Sequence, residues 1–126
     1  MKSLELVMLR GSSGAVYPFH AHPLNTALKN TGAVYALTNR KPDAGGRKYH
    51  SIIYIGQTAG LAEAVSRHKK TPWLKEHAGN CVCLYFEKDE KHRSLMELDL
   101  IRYYSPRVAP FDMEFQSSLP TPDLHP

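Results

Sequence analysis

The chain has 126 residues, of which 42% are hydrophobic and 22% are charged, so a single globular domain is expected over residues 1–126. This balance excludes coiled coils, collagen and disorder along the whole chain. The formal net charge of +4 favours polyanionic partners only weakly.

The N-terminal residues predict a β-hairpin. Extended stretches at residues 3–9 and 15–20 flank a Gly-Ser-Ser-Gly turn at 11–14. Residues 24–30 run into an Asn-Thr-Gly sequence that is typical of a helix end, which favours a short helix there. We therefore interpret residues 1–30 as a hairpin extension of the main domain.

The residues that follow predict a small sheet with helices. β-branched and aromatic residues indicate strands at 33–38, 51–55 and 81–87. Apolar spacing and prolines indicate helices at 61–68, from residue 72, and at 93–104. The loop at 39–48 is too short to hold a crossover helix, so the first two of these strands should be antiparallel.

Together these elements predict an α+β fold, in which a small three-stranded antiparallel sheet is flanked by helices and carries the added N-terminal hairpin. The main domain spans residues 31–109. Repeated prolines then indicate a proline-rich tail at 110–126.

The two cysteines indicate the redox state of the cellular compartment in which the protein is expected. Cys81 and Cys83 are the only two in the chain, and on one strand they are too close for a comfortable disulfide. Because a C-x-C pair without a second pair is a weak zinc signal, we expect buried thiols and a reduced, cytoplasmic setting. No apolar run approaches the roughly 20 residues that cross a bilayer, and no signal-peptide core is evident, so no membrane partner is expected.

Four sequence features occur in a characteristic order. A strand carries Tyr35 in the sequence TGAVYALTN, and the next strand carries Tyr54 in IIYIGQT. His68 lies in the helix that follows, and Glu97 lies in the last helix within MELDLIRYYSP. In this order and context the chain resembles the GIY-YIG nuclease family, over about residues 31–109.

The resemblance implies a fold, an activity and a set of roles. The family has a three-stranded antiparallel sheet flanked by helices, and it hydrolyses nucleic-acid phosphodiesters with one divalent ion, Mg²⁺ or Mn²⁺. Tyr35 and Tyr54 match the tyrosines that activate or position the attacking water. His68 matches the histidine that closes the helix motif, and Glu97 matches the carboxylate that binds the metal.

Two positions depart from the family pattern. Its arginine, which faces the scissile phosphate, would stand at residue 64, where this chain has Ala64. The asparagine that often follows the proline at position 106 is also missing. Arg67 is a candidate substitute, because helical side chains lean toward the N-terminus and Arg67 therefore leans toward position 64.

Several basic residues are candidate phosphate contacts. Arg67, Lys69 and Lys70 end the first helix, and Arg47 with Lys48 lies in the long loop. These residues either contact a nucleic acid, with DNA favoured, or are simply solvated.

Glu97 also has two interpretations. It shares a largely apolar stripe with Arg93, so it either binds a metal or pairs with a cation such as Arg93. The first function expected is thus a weak or altered metal-dependent nuclease. The alternative is a catalytically inactive domain that binds nucleic acid or a protein partner with the same fold.

Overall fold

The structure is a computed structural model that describes residues 2–106. The expected proline-rich tail at 110–126 lies outside these residues. The strands are β1 Glu5–Arg10, β2 Val16–Pro23, β3 Ala33–Pro42, β4 Lys48–Thr58 and β5 Cys81–Phe86. The helices are α1 Leu61–Lys69, α2 Pro72–Glu76 and α3 Glu90–Tyr104. The α+β class is confirmed.

The sheet is larger than the predicted three strands. All of its pairings are antiparallel, including that of β3 with β4, and its order is β1-β2-β5-β3-β4. The three-stranded prediction is wrong because β2 pairs with β5, with Ala21 opposite Cys83, so that the hairpin continues the sheet. The open edge of β5 supplied the unpaired backbone groups that the hairpin satisfies.

Half of the predicted loop at 39–48 is strand. β3 continues to Pro42 and β4 begins at Lys48, which leaves a turn of residues 43–47. The Asp43 carboxylate accepts hydrogen bonds from the backbone N–H groups of Gly45 and Arg47, and Gly46 has a φ of 85°. The turn is therefore built from a capping carboxylate and one left-handed glycine.

The helix predicted at residues 24–30 does not form. The backbone there makes a turn, in which the Thr26 N–H donates to the Pro23 carbonyl, and then runs on without regular structure. Leu24 and Leu28 pack against the buried core, so apolar contacts rather than helical hydrogen bonds fix this segment.

Two buried clusters lie in the molecule. The first includes residues of α1 and α2, among them Leu61 and Leu74, packed with Leu37 of β3. The second includes Met96 and Leu100 of α3, packed with residues of the hairpin and the sheet. The sheet curls, so that its two edge strands meet. Glu5 of β1, at one edge, forms a hydrogen bond of 2.7 Å with His50 of β4, at the other edge.

The last helix is longer than the predicted 93–104. It begins at Glu90, because the Asp89 side chain caps it by accepting a hydrogen bond from the His92 N–H. It ends at Ser105, whose φ of 48° is left-handed. Within residues 2–106, no helix is long and apolar enough to cross a membrane.

Candidate functional site

Three of the predicted site residues meet in one buried cluster. The Tyr35 hydroxyl of β3 lies 2.6 Å from Nε2 of His68 in α1. The Tyr54 ring of β4 lies with its centroid 4.6 Å from that of His68 and 6.0 Å from that of Tyr35. We call Tyr35, Tyr54 and His68 the tyrosine–histidine cluster.

Gly56 makes this cluster possible. It stands opposite Tyr35 in the β3–β4 pairing, and its missing side chain leaves room for both tyrosines. A Cβ atom at Gly56 would lie 2.8 Å from Cε2 of Tyr54 and 2.9 Å from the Tyr35 hydroxyl. The glycine of the Tyr-Ile-Gly sequence is therefore needed for close approach of two rings, not for a special backbone angle.

Burial sets the protonation of the cluster. Tyr35 is 3% exposed and His68 is 4% exposed. Burial, assisted by Tyr54, raises the pKa of Tyr35 well above its ordinary value. Burial, assisted by the Arg67 charge, lowers the pKa of His68 to about 4. At neutral pH the imidazole is therefore uncharged and Tyr35 keeps its proton.

A neutral His68 can act as a proton acceptor. Its Nε2 faces the Tyr35 hydroxyl, while its buried Nδ1 has no hydrogen-bond partner among the described residues. In the tautomer that carries the proton on Nδ1, the Tyr35 hydroxyl donates to Nε2. This arrangement places a neutral imidazole as hydrogen-bond acceptor for the buried Tyr35 hydroxyl.

Arg67 and Glu97 lie near the cluster. The charges of both residues act on the Tyr35 hydroxyl, since Glu97 raises and Arg67 lowers the pKa of Tyr35. Arg67 is exposed on α1, and Glu97 is half-buried on α3. The structure thus brings a cation and a carboxylate from two helices toward the same tyrosine.

Arg93 has a structural place of its own. Its guanidinium is buried and donates to Oε1 of Gln57 at 2.8 Å and to the carbonyl oxygens of Glu87 and Lys88. It therefore ties the start of α3 to β4 and to the segment that follows β5.

Position 64 belongs to the core. Ala64 is 2% exposed and packs in the first buried cluster with Leu61 and Val65. An arginine there would lie one turn before His68 on the same buried face of α1. The cation of the family pattern is thus replaced by a small core residue, and Arg67 is the exposed cation that acts on Tyr35.

The remaining basic candidates fall on different surfaces. Lys69 and Lys70 are exposed at the end of α1, next to Arg67 in sequence. Arg47 and Lys48 are exposed at the β3–β4 turn and line a groove with β1 and Tyr104. That groove shares no residue with the tyrosine–histidine cluster.

Sequence reasoning missed an aromatic residue that packs against the tyrosine–histidine cluster, and it missed a second group of polar side chains. The Trp73 ring lies 5.5 Å from that of His68 and 5.6 Å from that of Tyr54, centroid to centroid. Trp73 is 8% exposed and belongs to the first buried cluster. The second group is His50, Cys81 and Cys83, in which His50 is far from the two cysteines in sequence and meets them only through the sheet.

Comparisons with models of protein families, with curated proteins and with solved structures found no match for this chain. The resemblance to GIY-YIG nucleases therefore rests on the ordered sequence features alone.

Proposed function

We propose that this chain is a GIY-YIG-type domain that hydrolyses nucleic-acid phosphodiesters with a divalent metal ion, in a weak or altered form. The observation that supports this most is the 2.6 Å contact between the Tyr35 hydroxyl and Nε2 of a neutral His68. A buried tyrosine is a poor base unless a neighbour takes its proton, and this contact supplies that neighbour.

The cluster would supply the proton transfer. An attacking water gives its proton to the Tyr35 oxygen as the Tyr35 proton moves to Nε2 of His68. Tyr54 is the most exposed of the three, at 8%, and lies where it would orient the water. The low pKa of His68 keeps its Nε2 unprotonated at neutral pH, so the imidazole can accept the hydrogen bond of the Tyr35 hydroxyl.

Glu97 would hold the metal ion. A half-buried carboxylate is a hard oxygen ligand, and a single one suits Mg²⁺, which keeps several waters and takes further ligands from phosphate. Among residues 2–106, the one grouping of three histidine, cysteine or carboxylate ligands is elsewhere in the molecule. An ion at Glu97 would therefore take its other ligands from water and from the substrate phosphate. Such an ion supplies charge stabilisation for the phosphoryl oxygens.

Arg67 would take the place of the missing arginine. Its exposure on α1 leaves its guanidinium able to reach a phosphate, and its charge already acts on Tyr35. The guanidinium would stabilise negative charge on the non-bridging oxygens as the transition state forms. Lys69 and Lys70, which follow on the same helix end, would contact neighbouring phosphates.

The test is a plasmid-nicking assay with Mg²⁺ or Mn²⁺. We expect metal-dependent cleavage that falls at least about 100-fold in Tyr35→Phe and Glu97→Gln. The matched controls are the exposed Tyr49→Phe and Glu90→Gln, which should cleave at the parent rate. No cleavage by the parent, or equal losses in the controls, would contradict the proposal.

A second candidate function is nucleic-acid binding without hydrolysis. It is favoured by the alanine at position 64 and by the near-complete burial of Tyr35 and His68. Under it, the parent binds DNA or RNA with an affinity that falls steeply with salt, and Lys69→Ala with Lys70→Ala reduces that slope. Binding without cleavage would select this candidate over the nuclease, and no binding at low salt would leave a protein-interaction role for the fold.

A further inference from the structure

Three potential metal ligands meet at the end of the sheet away from α3's N-terminus. His50 of β4 and Cys81 and Cys83 of β5 each offer one ligand atom, and these atoms all lie within 4.8 Å of one another. Cys81 and Cys83 are 1% and 0% exposed, and both are free thiols. The alternation of a strand places both sulfurs on one face of the sheet.

The spacing is that of a coordination shell. Nδ1 of His50 lies 3.8 Å from Sγ of Cys83. With metal–sulfur bonds of about 2.3 Å and metal–nitrogen bonds of about 2.0 Å, two such ligands on one ion lie roughly 3.6–3.8 Å apart. A metal could therefore enter with side-chain adjustments, while the strands keep their places.

The imidazole is already oriented for metal binding. Nε2 of His50 bonds to Oε2 of Glu5 at 2.7 Å, which leaves Nδ1 to face the sulfurs and the Thr38 hydroxyl. Metal-bound histidines usually donate their second ring N–H to a carboxylate in this way. Glu5 is itself fixed by Arg40, which donates to both of its oxygens at 2.7 and 3.0 Å.

The charge and the chemical softness of the ligands indicate which ion the site would bind. The Glu5 carboxylate is balanced by the Arg40 guanidinium, so it adds no net charge to the group. Two thiolates and a divalent ion then sum to zero, which is the arrangement that a buried site tolerates best. Thiolate and imidazole ligands select soft or borderline ions and not Mg²⁺ or Ca²⁺.

We propose that His50, Cys81 and Cys83 form a binding site for a thiophilic divalent cation, with Zn²⁺ as the expected ion. Binding requires both cysteines as thiolates and His50 as a neutral imidazole, so it releases the protons that these three side chains still carry. A water molecule would complete the four ligands that Zn²⁺ prefers. This site is separate from the tyrosine–histidine cluster, so it does not depend on the proposed hydrolysis.

The test uses the full chain, reduced and stripped of metal, titrated with Co²⁺ as a spectroscopic substitute for Zn²⁺. We expect one Co²⁺ per chain, a thiolate-to-metal charge-transfer band, and loss of that band when Zn²⁺ is added. A thiol titration under denaturing conditions first establishes that both cysteines are reduced. A reduced parent without the band at submillimolar Co²⁺ overturns the proposal, whatever the variants do.

Variants then assign the ligands. Cys81→Ser with Cys83→Ser should abolish the band, and Glu5→Gln should weaken Zn²⁺ affinity about 10–100-fold by loosening the imidazole. The exposed histidine variant His92→Gln is the matched control and should bind as the parent does. A band that survives in the double cysteine variant, or that disappears in His92→Gln, would place the metal elsewhere and overturn the assignment.

Discussion

Gly56 has no side chain, and this leaves the space in which Tyr35 can contact His68 for the proposed proton transfer. The rings of Tyr35 and Tyr54 converge above this residue, and both are held in the core by His68 and Trp73. A buried aromatic ring has few alternative rotamers, so it cannot move aside cheaply.

We expect Gly56→Ala to destabilise the protein by about 1–3 kcal/mol, because the new methyl group would overlap both tyrosines. The same change should reduce any cleavage, since it would displace the Tyr35 hydroxyl from His68. Urea denaturation measures the first effect and the nicking assay measures the second. The matched control is Gly45→Ala, where the nearest atom to the new Cβ is 3.6 Å away. Equal stability of the two variants would show that the rings can adjust.

His68 gives a second expectation at this scale, which concerns pH. Burial lowers the pKa of His68 from its ordinary value of 6.5 to about 4 in the folded chain. Between these values the unfolded chain binds more protons than the folded one, so the free energy of unfolding falls as the pH falls. The difference corresponds to roughly 3 kcal/mol, all of it lost once the pH is below about 4.

Chemical denaturation of the parent and of His68→Gln between pH 6.5 and 4.5 measures this contribution. The variant should lose most of the slope across that range, although it also loses the contact with Tyr35. His92→Gln, which changes an exposed histidine, should keep the slope of the parent. An unchanged slope in His68→Gln would mean that His68 titrates normally and that burial does not exclude its charge.

Among the helices and strands, α1 supplies two of the proposed functional residues, His68 and Arg67. One face of this helix is buried through Leu61, Ala64, Val65 and His68, and Arg67 lies on the exposed side. An arginine at position 64 would need to leave a core that fits an alanine. Replacing Ala64 by arginine would therefore cost stability even if the guanidinium reached the cluster.

Arg67→Ala should lower cleavage by about 10²–10³-fold, since Arg67 would be the cation beside Tyr35. It should leave the melting temperature nearly unchanged, because exposed side chains contribute little to stability. Lys91→Ala, which removes an exposed cation from the start of α3, is the matched control. If both variants lose activity equally, the effect is general attraction of nucleic acid and not stabilisation of the reacting phosphate.

The helices and strands also show which parts of the fold local sequence patterns predict and which they miss. Strong local patterns placed β5, α1 and α2 well, and the two tyrosines and the histidine converge on one buried cluster. The extra length of β3 and β4 was hidden by polar residues such as Asn39 and Arg40, which suit a loop as well as an exposed strand end. Residues 24–30 were misread because Leu24 and Leu28 fit a helix but pack in an irregular segment.

At the scale of the whole molecule, contacts distant in sequence join the hairpin to the rest, and these were invisible to local patterns. β2 pairs with β5 through backbone hydrogen bonds, which leave no sequence signature. The Asp99 side chain of α3 reaches the β1–β2 turn and accepts hydrogen bonds from Ser12, Ser13 and Tyr17. His50 likewise meets Cys81 and Cys83 only because the sheet curls.

The Asp99 contacts lead to the last prediction. Four hydrogen bonds converge on the two carboxylate oxygens, at distances between 2.7 and 3.3 Å, and bonds from Ser13 and Tyr17 lower the pKa of Asp99 to about 2. Asp99→Asn keeps the shape but replaces one accepting oxygen by an NH₂ group, so the Tyr17 and Ser13 hydroxyls lose a charged acceptor. We expect a lower melting temperature and faster amide hydrogen exchange in β1 and β2, with β3 and β4 unaffected.

Glu90→Gln, in the first turn of α3 and exposed, removes an equal charge without touching the hairpin and is the matched control for Asp99→Asn. Acid should reproduce the effect in the parent. The carboxylate form of Asp99 is favoured by folding, so its contribution to stability is complete above the ordinary pKa of 3.8 and is lost as the pH falls through the folded pKa of about 2. Hairpin amides should thus lose protection over that range in the parent but not in Asp99→Asn, once both are corrected for intrinsic exchange. If β1 and β2 keep full protection in Asp99→Asn, pairing with β5 alone holds the hairpin, and α3 and the sheet would then be joined through their apolar contacts instead.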